Sequence, residues 1–302
     1  MYTEATTLPA GKKEHNVKST LVDRFMKWSG AKWILLVIPL VYVGLTLIIP
    51  LVSILGKSFV SENGITLEYF QAALTQPLYQ KVMWITLRTG LVVTLVAAFL
   101  AYPMAYMSVK AKKSVFRRII TGGVLIPYWV SMLVRIFAWQ IILSNNGPVN
   151  SFLMKMNIVD QPVQILYTST AIVISLTHVL LPYMFLSMQA VMEGIDSNLT
   201  LAAEGMGAKP VRNFFTVFFP LSIPGIVSGS MMVFVLALGF YIAPALLGGS
   251  DDMMMSNLIQ SNMSNMNWNM AAALSVELVA VVLVLFGIAY HFVGDQLFNR
   301  KA

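Results

Sequence analysis

The 302 residues contain no cysteine, which excludes disulfides and thiolate metal sites. That lack fits a protein of the bacterial inner membrane. Charge is scarce as well: Asp, Glu, Lys and Arg make up 11% of the chain, against roughly 25% in soluble domains. The chain has no Gly-x4-Gly-Lys-[Ser/Thr] phosphate loop, no His-Glu-x-x-His zinc motif, no nucleophile elbow and no catalytic cluster of paired acids. Nothing here provides for ATP hydrolysis or another enzymatic reaction by this chain itself, and no cofactor is expected on it. What remains is 57% hydrophobic, more apolar surface than a water-soluble core of this size can bury. The expected solvent is a lipid bilayer.

A helix crossing the ~30 Å hydrocarbon layer needs about 20 apolar residues. Six runs qualify: Trp33–Leu55, Thr86–Val109, Ile119–Leu143, Ala171–Val191, Ile223–Leu247 and Ala271–Gly294. The basic stretch before the first run is too long for a signal-peptide n-region and no small-residue cleavage site follows, so that run is expected to stay as a helix. Fifteen Lys and Arg fall in the N-terminal tail and in the segments after the second, fourth and sixth runs, whereas the alternate segments hold only Lys57, Lys81 and Lys155. The positive-inside rule then places both termini in the cytoplasm. The formal net charge of +7 is thus a topology signal and not a nucleic-acid footprint; no nucleic-acid partner is expected. The expected division is a cytoplasmic tail at 1–32, a first span with an outer peripheral helix at 33–81, a membrane core at 82–295 and a cytoplasmic tail at 296–302.

One inside segment is longer than the others, running from Glu193 to Ile226. Asp196 or Ser197 can cap a short helix there, and Gly207 can end it in the left-handed region open to glycine. Pro210 suits the first turn of a second helix, with Pro220 and Pro224 marking its end and the return into the membrane. Ala202, Ala203, Gly205 and Gly207 would offer a close-packing face. The alternative is a connecting loop folded back on its own bundle.

This segment resembles the signature loop of binding-protein-dependent ABC importer permeases, Glu-Ala-Ala-x3-Gly-x9-Ile-x-Leu-Pro. Ala202-Ala203 stand at the Ala pair, Gly207 at the Gly, and Val217-Phe218-Phe219-Pro220 at the final four positions. The signature Glu is replaced by Leu201, and Glu204 stands one helical turn later. The resemblance implies an all-α membrane fold of six spans with a cytoplasmic coupling helix between the fourth and fifth. That helix docks on a separate ATPase, which binds the ATP and Mg. Leu201, Ala202, Ala203, Glu204, Gly207 and Pro220 are the residues it assigns to coupling. Two further segments, Leu125–Trp139 continuing to Asn150 and Phe240–Gly249 followed by Asn257-Leu-Ile259, are similar to spermidine/putrescine permeases. That likeness implies two ATPase copies, a second and different permease subunit and a periplasmic binding protein. The ligand implied is a small cationic amino compound, polyamine-like, with an opine or another amino compound as the alternative. A stand-alone secondary transporter is the rival class, but the chain shows no internal repeat and no series of carboxylates for ion coupling.

Ionisable residues within spans are functional candidates by default, and here they are Arg88, Arg135, His178 and Glu277. Arg135 and Glu277 lie about 12 Å and about 9 Å from the outer ends of their helices, so they are expected to pair, or else to serve gating or ligand passage. Arg88, beside Trp84, is expected to snorkel to the outer interface. His178 reads as a hydrogen-bond partner between helices. Tyr128, Trp129, Trp139 and Tyr241 would form either an aromatic surface for an organic cation or interfacial anchors. Asp251 and Asp252 read as exposed loop acids. The methionine-rich run 253–270 lacks the regular spacing of a soft-metal site and is expected to be an amphipathic outer segment, as is 65–81.

Overall fold

The computed structural model describes residues 29–61, 64–111 and 113–298; the N-terminal basic tail, Lys112, Arg300 and Lys301 lie outside them. Helix α1 (Ser29–Ser58) lies mostly in the first of two compact units, which runs to Ile54, the second beginning at Leu55. From Leu36 to Ser58 it contains an 18-residue stretch with a mean hydropathy of 2.4, enough to cross a membrane.

In the second unit a small antiparallel ribbon, β1 (Val60–Ser61) with β2 (Gly64–Ile65), precedes α2 (Glu68–Thr75) and the 34-residue α3 (Pro77–Lys110). The expected peripheral helix over 65–81 is therefore divided, its last turn belonging to α3. Helices α4 (Ser114–Trp129), α5 (Met132–Ile142) and α6 (Pro148–Lys155) follow, then α7 (Ser169–Glu193) and α8 (Ser197–Gly205). After them come α9 (Pro210–Leu238), α10 (Ile242–Leu247), α11 (Met255–Ser264) and α12 (Trp268–Phe298).

The core is a three-helix packing of α3, α7 and α9. Helix α3 presents Val93, Ala97, Ala101 and Ala105, all fully buried and four residues apart, so one stripe of small side chains faces its neighbours. Between α7 and α9 the approach is closer still. A Cβ at Gly229 would stand 2.8 Å from the Met184 sulfur, and one at Gly225 would stand 3.0 Å from the Val191 Cβ. The Gly225-x3-Gly229 spacing lets the two backbones meet, which is how helices associate where hydrocarbon removes the hydrophobic drive. The Ser187 and Ser228 hydroxyls, 2.8 Å apart, bond across the same seam. A second cluster joins α2, α11 and α12 to the start of α3 through Ala73, Val82, Met83, Met255, Leu258, Met270 and Leu274. The methionine-rich run thus contributes packing side chains at this end, and the Met255 N–H donates to the Thr86 hydroxyl at 2.7 Å.

Among the described residues five helices are long and apolar enough to span, and a sixth crossing exists only as the bent pair α4–α5. The single third span expected over Ile119–Leu143 is thus corrected: its halves meet at 100°. Pro127 lies in the last turn of α4, where it removes a backbone donor, and Val130 and Ser131 are extended. The expected fifth span, Ile223–Leu247, is corrected at both ends. Helix α9 runs unbroken from Pro210 to Leu238 and stops at Gly239, leaving α10 as a separate short helix. Pro220 and Pro224 do not end a surface helix. A π-helical turn over Phe214–Phe218 widens the backbone just ahead of Pro220, so its missing N–H falls where the hydrogen-bond register is already shifting.

Candidate coupling helix and cavity at the helix break

At one end of the bundle α8 stands between α7 and α9. The Asp196 carboxylate caps it, accepting from the Asn198 N–H at 2.9 Å. Its other end closes on Gly207, with φ +84°. The Gly207 N–H reaches the Glu204 carbonyl at 2.9 Å and the Ala208 N–H the Ala203 carbonyl at 3.0 Å, the paired bonds of a Schellman ending. Leu201, Ala202, Gly205 and Gly207 are exposed, and Met206 is 84% exposed. Ala203 is buried and turns inward, so the expected small-residue face is divided. Glu204 is tied to the following helix: its carboxylate accepts from the Asn213 amide at 3.3 Å, and that amide also donates to the Thr200 carbonyl at 3.1 Å. Pro220 lies about three turns into α9, well beyond this end.

Two contacts that sequence reasoning missed anchor this end. Tyr102 and Tyr106 of α3 meet Phe214, Phe218 and Phe219 at centroid distances of 5.0–6.1 Å, mostly edge to face. The Tyr102 hydroxyl lies 2.9 Å from that of Ser222. Beside this clasp Arg117 forms an ion pair with Glu193. The Gln189 amide bridges Glu193 at 2.9 Å and the Ser108 hydroxyl at 3.3 Å, joining α3, α4 and α7. The phenylalanine run was visible in the chain, but its tyrosine partners lie more than 100 residues earlier, and no local signal links them.

The second feature is a cavity of about 400 Å³ where α4 breaks into α5. Tyr128, Trp129 and Arg135 line it with Tyr183 of α7 and Phe240 beyond α9. The Tyr128 and Tyr183 rings meet edge to face at 5.5 Å. The Nε and Nη1 atoms of Arg135 are buried without an acceptor. Three of the expected pathway residues are therefore brought together, and three are not. Trp139 is turned aside, its indole N–H donating to His178 Nδ1 at 3.2 Å, which agrees with the helix-linking role expected of that histidine. Tyr241 accepts at its carbonyl from the Asn257 amide and lies outside the cavity. Glu277 is elsewhere on α12, its Oε2 buried and unbonded. The expected Arg135–Glu277 pair does not form: the ion pairs among the described residues are Lys81–Asp251 and Arg117–Glu193. Equal depth along two helices fixes one coordinate only, and of the two only Arg135 lines the cavity.

At the opposite end Asp251 takes a hydrogen bond from Lys81 at 2.8 Å, and this bond and the ammonium charge hold its carboxyl below the usual carboxylate range. Asp252 accepts from the Ser169 hydroxyl and the Gly249 N–H. The two acids are therefore engaged in fixing loops.

The fold is shared with solved ABC transporters. The fold superposes with a TM-score of 0.73, at 17% identity, over 89% of this chain and 96% of a chain from a bacterial alginate ABC transporter, solved in complex with an alginate pentasaccharide-bound periplasmic protein. Residues 90–297 match the family described as binding-protein-dependent transport system inner membrane component. The chain belongs to that family and is a transport subunit, not an enzyme. It is 32% identical over 262 residues to the spermidine/putrescine transport system permease protein PotB of Haemophilus influenzae, covering 84% of this chain and 90% of that one. To the PotB of Escherichia coli it is 30% identical, with 84% and 94% covered.

Proposed function

We propose that this chain is one of two different permease subunits of an importer for a polyamine-like cation. A periplasmic binding protein delivers the ligand, and two copies of a cytoplasmic ATPase, carrying ATP and Mg, drive the cycle. Helix α8 faces the cytoplasm and couples to the ATPase through Leu201, Ala202, Glu204 and Gly207, while Ala203 holds it to its own bundle. Both termini lie in the cytoplasm. The observation that carries this reading is the exposed α8, capped by Asp196 and closed on Gly207, in a chain with no phosphate loop of its own. Identity to the PotB proteins over most of the chain supports the ligand class.

The cavity at the break supports a role for Tyr128 and Trp129 in the path, since aromatic faces attract organic cations. Arg135 favours a second reading, in which the ligand is an amino compound that also carries a carboxylate, because a guanidinium with unbonded N–H groups repels a bare cation and attracts an anion. Uptake of labelled spermidine into cells expressing this chain with its cognate binding protein and ATPase separates the two. Saturable uptake, competed by putrescine and not by amino acids, is expected. Competition by amino acids alone would replace the first reading with the second, and uptake by this chain without an ATPase would overturn both.

A further inference from the structure

Away from that cavity a groove of about 460 Å³ opens between α3, α9 and α12. It forms because α12 diverges from its neighbours. Leu274, Leu278 and Val281 pack against Val82, Met83 and Leu87 near the α2 end, whereas farther along Leu283, Val284 and Leu285 are exposed. The walls are apolar, chiefly Trp84, Leu91, Met231, Phe234, Leu285 and Phe286. The Thr94 hydroxyl in the wall is already engaged, donating to the Gly90 carbonyl of its own helix at 2.7 Å. At the rim stands Arg88, exposed and with no hydrogen bond or ion pair among the described residues. Arg88 also borders a pocket of about 340 Å³ containing Asp251 and Asp252, but those carboxylates are held by Lys81 and Ser169. The groove therefore joins a long apolar trough to one free guanidinium at its mouth.

We propose that this groove is a phospholipid site, with an acyl chain lying along α3 and α12 and the phosphate on Arg88. The two halves demand different chemistry from one ligand. A water-soluble anion would satisfy Arg88 and leave the aromatic and aliphatic wall bare. A packed helix of another subunit would cover the wall and, being apolar at this depth, would leave the guanidinium without its anion. A diacyl phospholipid supplies both, and Trp84 at the mouth belongs with a headgroup-level ring. Phosphate takes two parallel N–H bonds from a guanidinium, which fixes the headgroup as well as attracting it.

The test uses the complete transporter, equilibrated in detergent with 1-palmitoyl-2-oleoylphosphatidylglycerol, delipidated stepwise and weighed by native mass spectrometry. One phosphatidylglycerol retained per copy of this chain is expected. Arg88→Gln should weaken retention about tenfold, the scale of one charge-assisted hydrogen bond. Met231→Trp, which fills the trough without touching the charge, should weaken it too, and the intact mass of the assembly shows that both variants still fold. Equal retention in all three proteins overturns the proposal. So does cross-linking of Leu285→Cys, the sole thiol in this chain, to the second permease in native membranes, because a protein helix would then occupy the trough.

Discussion

At Gly207 the backbone has φ +84° and an added Cβ would meet nothing within 4 Å. Gly207→Ala therefore strains the backbone by about 1–2 kcal/mol without a clash, whereas Gly207→Arg adds bulk and charge to the exposed side of α8. The alanine variant is expected to keep most of its ligand-stimulated ATPase activity, and the arginine variant to lose it while still assembling. Normal stimulation with Gly207→Arg would remove α8 from the coupling role. Arg135 and Glu277 give a second prediction at this scale. Because they are not paired, Glu277→Gln and Arg135→Gln should act additively on expression and on uptake, as independent sites do. Arg135→Gln should lower uptake with assembly preserved. Recovery of expression in the double variant would restore the pair that the structure lacks. Gly207 was legible in the sequence because its role is local, a chain reversal that an L side chain resists. The surroundings of Arg135 were not, because the azimuth of a side chain around its helix follows from tertiary packing.

Among the elements, α7 and α9 meet backbone to backbone at Gly225 and Gly229. Gly229→Leu would drive side-chain atoms into Met184 and Ser187, with cost on the overpacking scale of about 1–3 kcal/mol or more. It is expected to yield aggregated or unassembled protein on size-exclusion chromatography. Gly287→Leu on α12, where an added Cβ meets nothing within 4 Å, should elute as the unaltered protein does. Equal behaviour of the two would mean that the α7–α9 seam is not limiting. The existence of the spans could be read from hydropathy, since bilayer thickness fixes their length. Their continuity could not. Pro127 sits at a right-angle break, and Pro220 and Pro224 lie within an unbroken helix, because a proline removes one donor and clashes with one turn, and a widened turn beside it can absorb both.

For the whole molecule, the asymmetry of Lys and Arg between alternate segments supports the cytoplasmic placement proposed for α8. A reporter active only in the periplasm should be active when fused after Asp252 and silent after Lys113; the reverse pattern would invert the chain and separate α8 from any cytoplasmic ATPase. The family and its general architecture were readable because hydropathy, charge placement and the signature spacing agree. The cavity at the break and the aromatic clasp were not, since each is assembled from residues of separate helices that only folding brings together.

The break between α4 and α5 also bears on how much of this protein a cell can hold. The first bond of α5 runs from the Arg135 N–H to the Ser131 carbonyl, so the N–H groups of Met132, Leu133 and Val134 have no partner within the helix, and the Ser131 side chain does not cap them. Hydrocarbon offers neither donors nor acceptors. A copy synthesised ahead of its partner subunits is therefore expected to be the form that membrane proteases degrade. Its abundance should track the scarcest partner and not its own rate of translation, and a pulse-chase in cells lacking those partners should show a shortened half-life.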